Sequence, residues 1–461
     1  MEKQLPKNWV LPPFTEIFDI NGGTQPPKAV FIDEPKEGYI RLLQIRDFGK
    51  KPVPTYIPNT GKLMTCKKDD ILIARYGASI GRIVTGMEGS YNVALAKVGV
   101  PENMNKNFVK WLLKSNLFQE PILSIQRTAQ NGFNKTDLAA IYVPLPPLPE
   151  QQRIVAKLDT LFAQLETIKT SMANIPLLLK DFRQQVLTQA VTGKLTEEYR
   201  KGKKLNEWQE CPLSDFSEAR LGKMLDNAKN SGELVSYLGN INVRWSQIDF
   251  SDLKQMKVEL KELHKYELLK GDILVCEGGE PGRAAIWKYN RNDVIFQKAL
   301  HRIRLNENVL PDFFLYNLKI DSQNNKLEQL FTGTTIKHLT GRSFSTYTIL
   351  IPDTKEQQEI VRRVENLFAK ADAIEQQYKT LKASIDSLPQ ALLHKAFKGE
   401  LTEQLASDGD AMELLEEIKV LKAATGKAFK SKTNKIAIKK VKPCSETEEV
   451  LGMVAEEHYK K

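Results

Sequence analysis

The strongest constraint on this chain is that it repeats itself. The segment 150–197, opening Glu150-Gln151-Gln152 and closing Leu195-Thr196-Glu197, returns without a gap as 356–403, from Glu356-Gln357-Gln358 to Leu401-Thr402-Glu403, at an offset of 206 residues. About a third of the paired positions are identical, among them Ile154/Ile360, Leu161-Phe162-Ala163/Leu367-Phe368-Ala369, Ile168/Ile374, Ala190/Ala396 and Gly193/Gly399. Duplication over such a length implies two copies of one structural unit. Fainter matches extend it outward: Trp9/Trp208 at an offset of 199, Asp70-Ile71-Leu72-Ile73/Asp272-Ile273-Leu274-Val275 at 202, and Gly81-Arg82/Gly282-Arg283 at 201. The repeated unit is therefore a domain followed by a helix, and its length changes fall in the domains, where loops absorb them.

The repeated helix carries a narrow apolar stripe. In the first copy it is Ile154, Leu158, Leu161, Leu165, Ile168, Met172 and Ile175; in the second, Ile360, Val364, Leu367, Ala371, Ile374, Tyr378, Leu381, Ile385 and Leu388. Steps of four and three give the 3.5-residue period of a coiled-coil seam. A stripe this narrow suits helix on helix better than a helix lying on a globular core. Pro176 and Pro389 are each expected to break or kink their helix, ahead of a short second segment stopping at Gly193 or Gly399. Phe162, Phe182, Val186 and Phe368 lie outside the strict seam and are expected to leave apolar surface for partner helices.

Charge is a weaker guide. The net charge of +10 divides into +6 over residues 1–148 and −1 over 206–354, while 422–442 holds eight lysines and no acid. That last run, followed by Glu446, Glu448, Glu449, Glu456 and Glu457, reads as a flexible tail as readily as a phosphate contact. The chain opens without an apolar signal segment and has no run of about 18 apolar residues, so a cytoplasmic protein with no membrane span is expected. Cys66, Cys211, Cys276 and Cys444 are far apart and without histidines at ligand spacing, so neither a metal site nor a disulfide framework is expected.

The chemistry of an enzyme is missing from the sequence. No phosphate loop is present, since Gly77-Ala78-Ser79-Ile80-Gly81 and Gly279-Glu280-Pro281-Gly282 lack its lysine. Leu11-Pro12-Pro13-Phe14 has the Pro-Pro-aromatic part of an amino-methyltransferase motif, but Leu11 stands where an amide or carboxylate must accept from the target amine. Pro311-Asp312 and Pro352-Asp353 lack the downstream Glu-x-Lys of a nuclease site. His264, His301, His338, His394 and His458 have no nucleophile or carboxylate at a diagnostic spacing. Short β-type runs (39–45, 71–75, 273–276, 346–351) alternate with helical stretches (107–117, 312–318), which makes each domain α+β.

Three stretches together resemble a known family. Pro144-Leu145-Pro146-Pro147-Leu148-Pro149-Glu150-Gln151-Gln152-Arg153-Ile154, Phe182-Arg183-Gln184 through Gly193-Lys194-Leu195-Thr196-Glu197, and Glu356 through Glu365 are similar to the specificity subunits of type I restriction-modification enzymes, and to the group typified by the enteric K-12 system. The resemblance implies two target recognition domains, 1–148 and 206–354, and two conserved helical regions, 149–205 and 355–421, pairing antiparallel as a spacer, with 422–461 a tail. It implies a non-catalytic subunit bound to double-stranded DNA, to two methyltransferase subunits and to restriction subunits. S-adenosylmethionine, ATP and Mg would then belong to the partners, and none to this chain.

Base contacts do not transfer from a resemblance, so candidates come from chemistry: forked donors and amides on loops at strand ends, where they can reach base edges. In the first domain these are Gln44, Arg46, Arg75, Tyr76, Ser79, Arg82, Asn131, Asn134 and Lys135. In the second they are Asn240, Asn242, Arg244, Arg283, Gln297, Lys298, Thr334, Thr335 and Lys337, with Arg82 and Arg283 the expected guanine-reading forks. Two other readings stay open at this stage, a stand-alone DNA-modifying enzyme and a coiled-coil adaptor that binds only proteins.

Overall fold

The computed structural model describes residues 5–125, 132–226 and 228–437. The chain divides into two compact units, one made of 1–169 and 384–461, the other of 170–383. Four long helices organise them: α1 (Leu148–Met172), α2 (Ile175–Val191), α3 (Thr354–Phe397) and α4 (Ala411–Ala437). The unit boundary falls inside α1 and inside α3.

In the first unit, β1 (Asp19–Gly22), β2 (Tyr39–Leu43), β3 (Ile71–Ala74), β4 (Ile83–Val84), β5 (Gly89–Tyr91) and β6 (Leu95–Gly99) build two small sheets. One has the order β1-β6-β3-β4 and is antiparallel throughout; the other includes β2 and β5 as a parallel pair. The apolar run Ile71-Leu72-Ile73-Ala74 is buried along its length, as expected of a central strand covered on both faces. The helix Lys106–Lys114 begins at Asn105, whose side chain accepts from the backbone N–H groups of Asn107 and Phe108. Such a cap satisfies two amides that otherwise lack partners. Phe108, Val109, Leu112 and Leu113 on its buried side join a core with Phe14, Phe18 and Phe118. Leu11-Pro12-Pro13-Phe14 is thus an anchor: Phe14 is fully buried and packs on Phe18 and Phe118 at 4.8 and 5.3 Å.

The second unit repeats the plan with β7 (Ser217–Leu221), β8 (Glu233–Leu238), β9 (Ile273–Cys276), β10 (Ala284–Ile286), β11 (Val294–Phe296) and β12 (Leu300–Leu305). Its antiparallel sheet has the order β7-β12-β9-β10, and β8 pairs parallel with β11. For these six strands, order and pairing sense match the first unit, although the sheet holding the parallel pair has four strands there and three here.

Each unit takes one end from each helical repeat. In the first, Ile154, Val155 and Leu158 at the start of α1 share a core with Leu393, Ala396 and Phe397 at the end of α3. In the second, Val186, Leu187 and Ala190 at the end of α2 share a core with Ile360 and Val364 at the start of α3. Both pairings are antiparallel. The ion pairs of Arg183 with Asp372 and Glu375, at 2.7 and 2.8 Å, continue the second along the helices. The first proline behaves as expected, ending α1 and sitting in the first turn of α2. The second does not, because α3 runs without a break through Pro389. A proline costs a helix one N–H bond and adds a clash; here the turns beyond it are held by the burial of Leu393, Ala396 and Phe397.

The predicted seam is only partly buried. Ile154, Leu158, Leu165, Ile360, Val364, Ala371 and Ile385 are buried, and Leu161, Met172, Ile175, Leu367 and Tyr378 half-buried. Ile168, Ile374, Leu381 and Leu388 are instead 45%, 49%, 50% and 40% exposed. Ile374, Leu381 and Leu388 form one heptad row, and a 3.6-residue helix drifts by about 20° per heptad against a 3.5-residue repeat, which turns one row of the stripe toward solvent. Three of the four residues expected outside the seam as free apolar surface are covered within their own compact unit. Phe162 stacks on Trp111 at 4.3 Å, Val186 is buried and Phe368 packs on the second core; Phe182 alone of the four remains exposed.

Residues 411–421, taken from sequence as the end of the second spacer, form a separate helix docked on the first domain. Ala411, Leu414, Leu415 and Ile418 of α4 enter that core. Lys422 donates to the Thr15 carbonyl at 2.9 Å and pairs with Asp19 at 3.3 Å. Most of the tail, from 438, lies outside the described residues.

Candidate nucleic-acid interface

The repeated Glu-Gln-Gln motif is a lock under each domain. Glu150 is fully buried and accepts from the Trp9 indole N–H at 2.8 Å, the Thr402 hydroxyl at 3.2 Å and the Gln404 amide at 2.6 Å. Glu356, equally buried, accepts from Thr196 at 2.7 Å and Trp208 at 3.2 Å. Each carboxylate therefore joins the tryptophan that opens its own domain to the Leu-Thr-Glu turn of the other repeat. Gln151 accepts from the Asn105 N–H and donates to the Pro146 carbonyl; Gln357 accepts from the Leu310 N–H and donates to the carbonyls of Asn308 and Pro352. The turns pass close beneath the rings, where Gly193 (φ 76°) and Gly399 (φ 71°) lie against Trp208 and Trp9 in a left-handed conformation natural to glycine. The domains are thus fixed on rigid stems, as a reading surface requires.

The first domain's strand-end loops gather together. The Asn92 N–H bonds the Leu43 carbonyl at the end of β2, and the Arg82 guanidinium donates to the Phe48 carbonyl at 2.6 Å. Gly23 lies so close to the backbone of Tyr91 and Asn92 that a β-carbon would stand 2.1 Å from the Asn92 carbonyl oxygen. Gly22 abuts Arg75, and Gly132 abuts Tyr76. The collar therefore brings together 22–24, 44–48, 75–82, 91–94 and 132–134, with Gln44, Arg46, Arg75, Tyr76, Ser79 and Arg82 on it. Arg46 and Tyr76 are exposed; Gln44, Arg75 and Ser79 are half-buried. Lys135 is exposed. Asn134 is occupied differently from expectation, as the cap of the helix Lys135–Ala139, its oxygen accepting from the N–H groups of Thr136 and Asp137. Asn131 lies outside the described residues.

The second domain has the same collar. Gln297 N–H bonds the Leu238 carbonyl, Arg283 donates to the Asn240 carbonyl at 2.8 Å, Leu339 N–H bonds the Glu277 carbonyl, and Gly222 lies against the backbone of Phe296 and Gln297. Arg244, Lys298, Thr334, Thr335 and Lys337 are exposed on or beside it, with Asn240 and Gln297 half-buried. Lys337 pairs with Glu328 at 3.3 Å. Two expectations fail here. Asn242 is 4% exposed, accepts from the Gly239 N–H and donates to the carbonyls of Asp249 and Asp252, so its amide holds the loop together and has no group left for a base. Arg283, its side chain 14% exposed, is ion-paired with Glu280 at 2.6 Å and bonded to the Asn240 carbonyl, so it is a brace. Sequence reasoning took both for readers because loop polarity alone does not tell a reader from a brace.

Among the described residues no three His, Cys, Asp or Glu side chains gather to hold a metal, and no helix is long and apolar enough to cross a membrane. Burial pushes the thiols of Cys66 and Cys276 up to about 11, away from reactivity; Cys444 lies outside the described residues. His301 is buried with Nε2 2.7 Å from the Leu339 carbonyl, and burial holds its pKa below the ordinary value.

Two stem-locked α+β domains with loop collars describe a modular recognition protein, and comparison with known proteins gives that class its family. The model of the type I restriction modification DNA specificity domain matches twice, over residues 6–177 and 206–383. The chain is 30% identical to the type I restriction enzyme EcoKI specificity subunit of Escherichia coli (strain K12), over 92% of this chain and 97% of that one. It is 28% identical to the StySPI specificity subunit of Salmonella potsdam at the same coverages. Its fold is similar to the crystal structure of the HsdS subunit from Thermoanaerobacter tengcongensis, with a TM-score of 0.62 and 18% identity over 87% of this chain and 99% of that one. The chain belongs to the specificity subunits of type I restriction-modification systems, in the K-12-like group.

Proposed function

We propose that this subunit reads an asymmetric, two-part DNA target, one half-site per domain, and carries the catalytic subunits of its complex without chemistry of its own. The observation that carries this reading is the duplicated collar: the same strand-end loops, each on a separately locked stem, with different side chains on them. Two homologous readers of unlike surface suit two unlike half-sites separated by an unread gap. Arg46, Arg75, Tyr76, Ser79, Gln44 and Lys135 are the candidate contacts of the first domain; Asn240, Arg244, Gln297, Lys298, Thr334, Thr335 and Lys337 are those of the second.

The helices serve as spacer and docking surface. Ile168, Leu177, Leu178 and Phe182 on α1 and α2, and Ile374, Leu381 and Leu388 on α3, are exposed apolar side chains of the kind that partner helices cover. Because the helical unit is duplicated, two methyltransferase subunits bind per chain, and restriction subunits join that assembly. S-adenosylmethionine, ATP and Mg are handled by those partners, and the complex works in the cytoplasm. The test is co-expression with the cognate methyltransferase subunits, followed by mass measurement and sequencing of methylated DNA. Two methyltransferase subunits per chain and one bipartite methylated motif are expected; methyl transfer by this chain alone, or a complex without a DNA footprint, would overturn the reading.

A further inference from the structure

The two collars can be aligned by their backbone hydrogen bonds, and that alignment separates frame from reader. The Arg75 N–H bonds the Ala94 carbonyl at 2.9 Å, and the Glu277 N–H bonds the Ala299 carbonyl at 2.9 Å. One residue earlier, Ala74 N–H meets the Arg82 carbonyl as Cys276 N–H meets the Arg283 carbonyl. The Gly81 N–H returns to Ala74 as Gly282 returns to Cys276, and Arg82 N–H bonds Ser79 as Arg283 N–H bonds Glu280. Arg82 and Arg283 then do the same work, each donating to a carbonyl of the short helical turn after β2 or β8. Arg75 and Glu277, at equivalent backbone positions beside these matched elements, are opposite in charge.

We propose that Arg75 and Glu277 are the equivalent base-reading residues of the two half-sites, Arg75 taking a guanine and Glu277 a cytosine. This rests on the reading of each domain as a half-site reader. A phosphate-contacting position must present a cation or a neutral donor in both domains, because phosphate is the same at every site. A carboxylate there would be repelled, so a position that meets DNA in both domains and carries Arg in one copy and Glu in the other meets base edges. The chemistry fits each base: a guanidinium fork meets O6 and N7 of guanine, and a carboxylate accepts from N4 of cytosine.

Both side chains are available for that work. Arg75 lies over the Tyr76 ring at 5.1 Å and beside Gly22, its Nε buried without a hydrogen-bond partner among the described residues. No ion pair or side-chain hydrogen bond engages the half-buried Glu277 carboxylate among the described residues. The ring and the glycine hold the fork in place with no acid to neutralise it. The Arg75 loop is also one residue longer: 75–79 between the aligned ladder bonds, against 277–280.

The experiment is methylated-motif sequencing of the full complex with its methyltransferase subunits, comparing the natural chain with Arg75→Ala, Arg75→Gln, Arg75→Lys, Glu277→Ala and Glu277→Gln. Subunit assembly and non-specific DNA binding of each variant report on folding. Arg75→Ala is expected to relax one G·C pair in a single half-site by roughly 5- to 150-fold in discrimination, leaving the other half unchanged. Arg75→Gln, whose amide suits adenine, shifts the preference at that same pair toward A. The Glu277 variants relax one C·G pair in the other half-site. Arg75→Lys, whose ammonium can also meet guanine O6 and N7, should keep the preference for G; an unchanged motif in the Ala and Gln variants, or equal weakening at all sequences, would overturn the proposal. A natural complex giving no two-part motif would fail the underlying reading instead, before any variant is compared.

Discussion

Replacing Glu150 by alanine should loosen the first domain from its stem and leave the second untouched. The carboxylate is fully buried and accepts three hydrogen bonds, from Trp9, Thr402 and Gln404. Thr402 and Gln404 are partly exposed and can turn to water. Trp9 is 6% exposed and cannot, so its indole N–H is left buried without an acceptor. An unsatisfied buried donor costs about 1–3 kcal/mol, and bonds to a charged acceptor contribute about 1.5–3 kcal/mol each, which puts the substitution at about 3–4 kcal/mol. Glu150→Gln keeps the shape and one acceptor oxygen, and should cost about half as much. Hydrogen–deuterium exchange of the assembled complex reads the effect unit by unit. Amides of 5–125 and 411–424 that exchange through opening of the first unit should speed up by roughly 140- to 700-fold, since about 1.4 kcal/mol is tenfold. Amides of 206–350 should keep their rates, and Glu356→Ala should reverse the pattern. A change below about fivefold, or equal acceleration in both units, would refute the lock, because a cost of this size cannot hide in exchange through opening.

Three further outcomes follow from the same geometry. His301 should make the second unit less stable from pH 7 to pH 5: burial holds its folded pKa below the ordinary 6.5, so the unfolded chain takes the proton first and stability present above 6.5 is lost as pH falls toward the folded value. Unfolding of His301→Gln, whose amide can still donate to the Leu339 carbonyl, should lose that pH dependence; an unchanged slope would assign it elsewhere. Arg283→Ala should destabilise the 240–244 and 280–283 loops and lower binding at all sequences, measured by exchange and by DNA titration, whereas relaxed specificity at one base pair would return Arg283 to the readers. Inserting seven residues after Ile168 and after Ile374 keeps the heptad phase and adds about 10 Å of helix. The half-site sequences should persist while the preferred gap grows by up to about three base pairs or activity is lost; unchanged half-sites and gap at full activity would show that the helices do not set the spacing.

What the sequence revealed and what it hid divide along physical lines. The duplicated domain and helix were legible because one register is kept over many turns, and strands such as Ile71–Ala74 and Ile273–Cys276 are short apolar runs that few other structures accommodate. The Glu150 lock was hidden because its partners Trp9 and Thr402 lie 141 and 252 residues away. The signal was nonetheless present, in tryptophan, glutamate and threonine each recurring at the offset of its own segment. Asn242, Asn134 and Arg283 were misread for a local reason, since a capping amide and a bracing guanidinium have the composition of a binding loop. The exposed row at Ile374, Leu381 and Leu388 escaped notice because a heptad pattern does not say which of its two rows meets a neighbour. The docking of α4 was missed for a similar reason: Ala411, Leu414, Leu415 and Ile418 have helical spacing that names no partner.

The central claim, two independent readers on one scaffold, is tested most directly by exchanging residues 1–148 for the first domain of another specificity subunit and sequencing the methylated DNA of cells that carry the hybrid with its methyltransferase subunits. The account predicts a new sequence in one half of the target, with the other half unchanged. A hybrid that alters both halves, or neither, would contradict it.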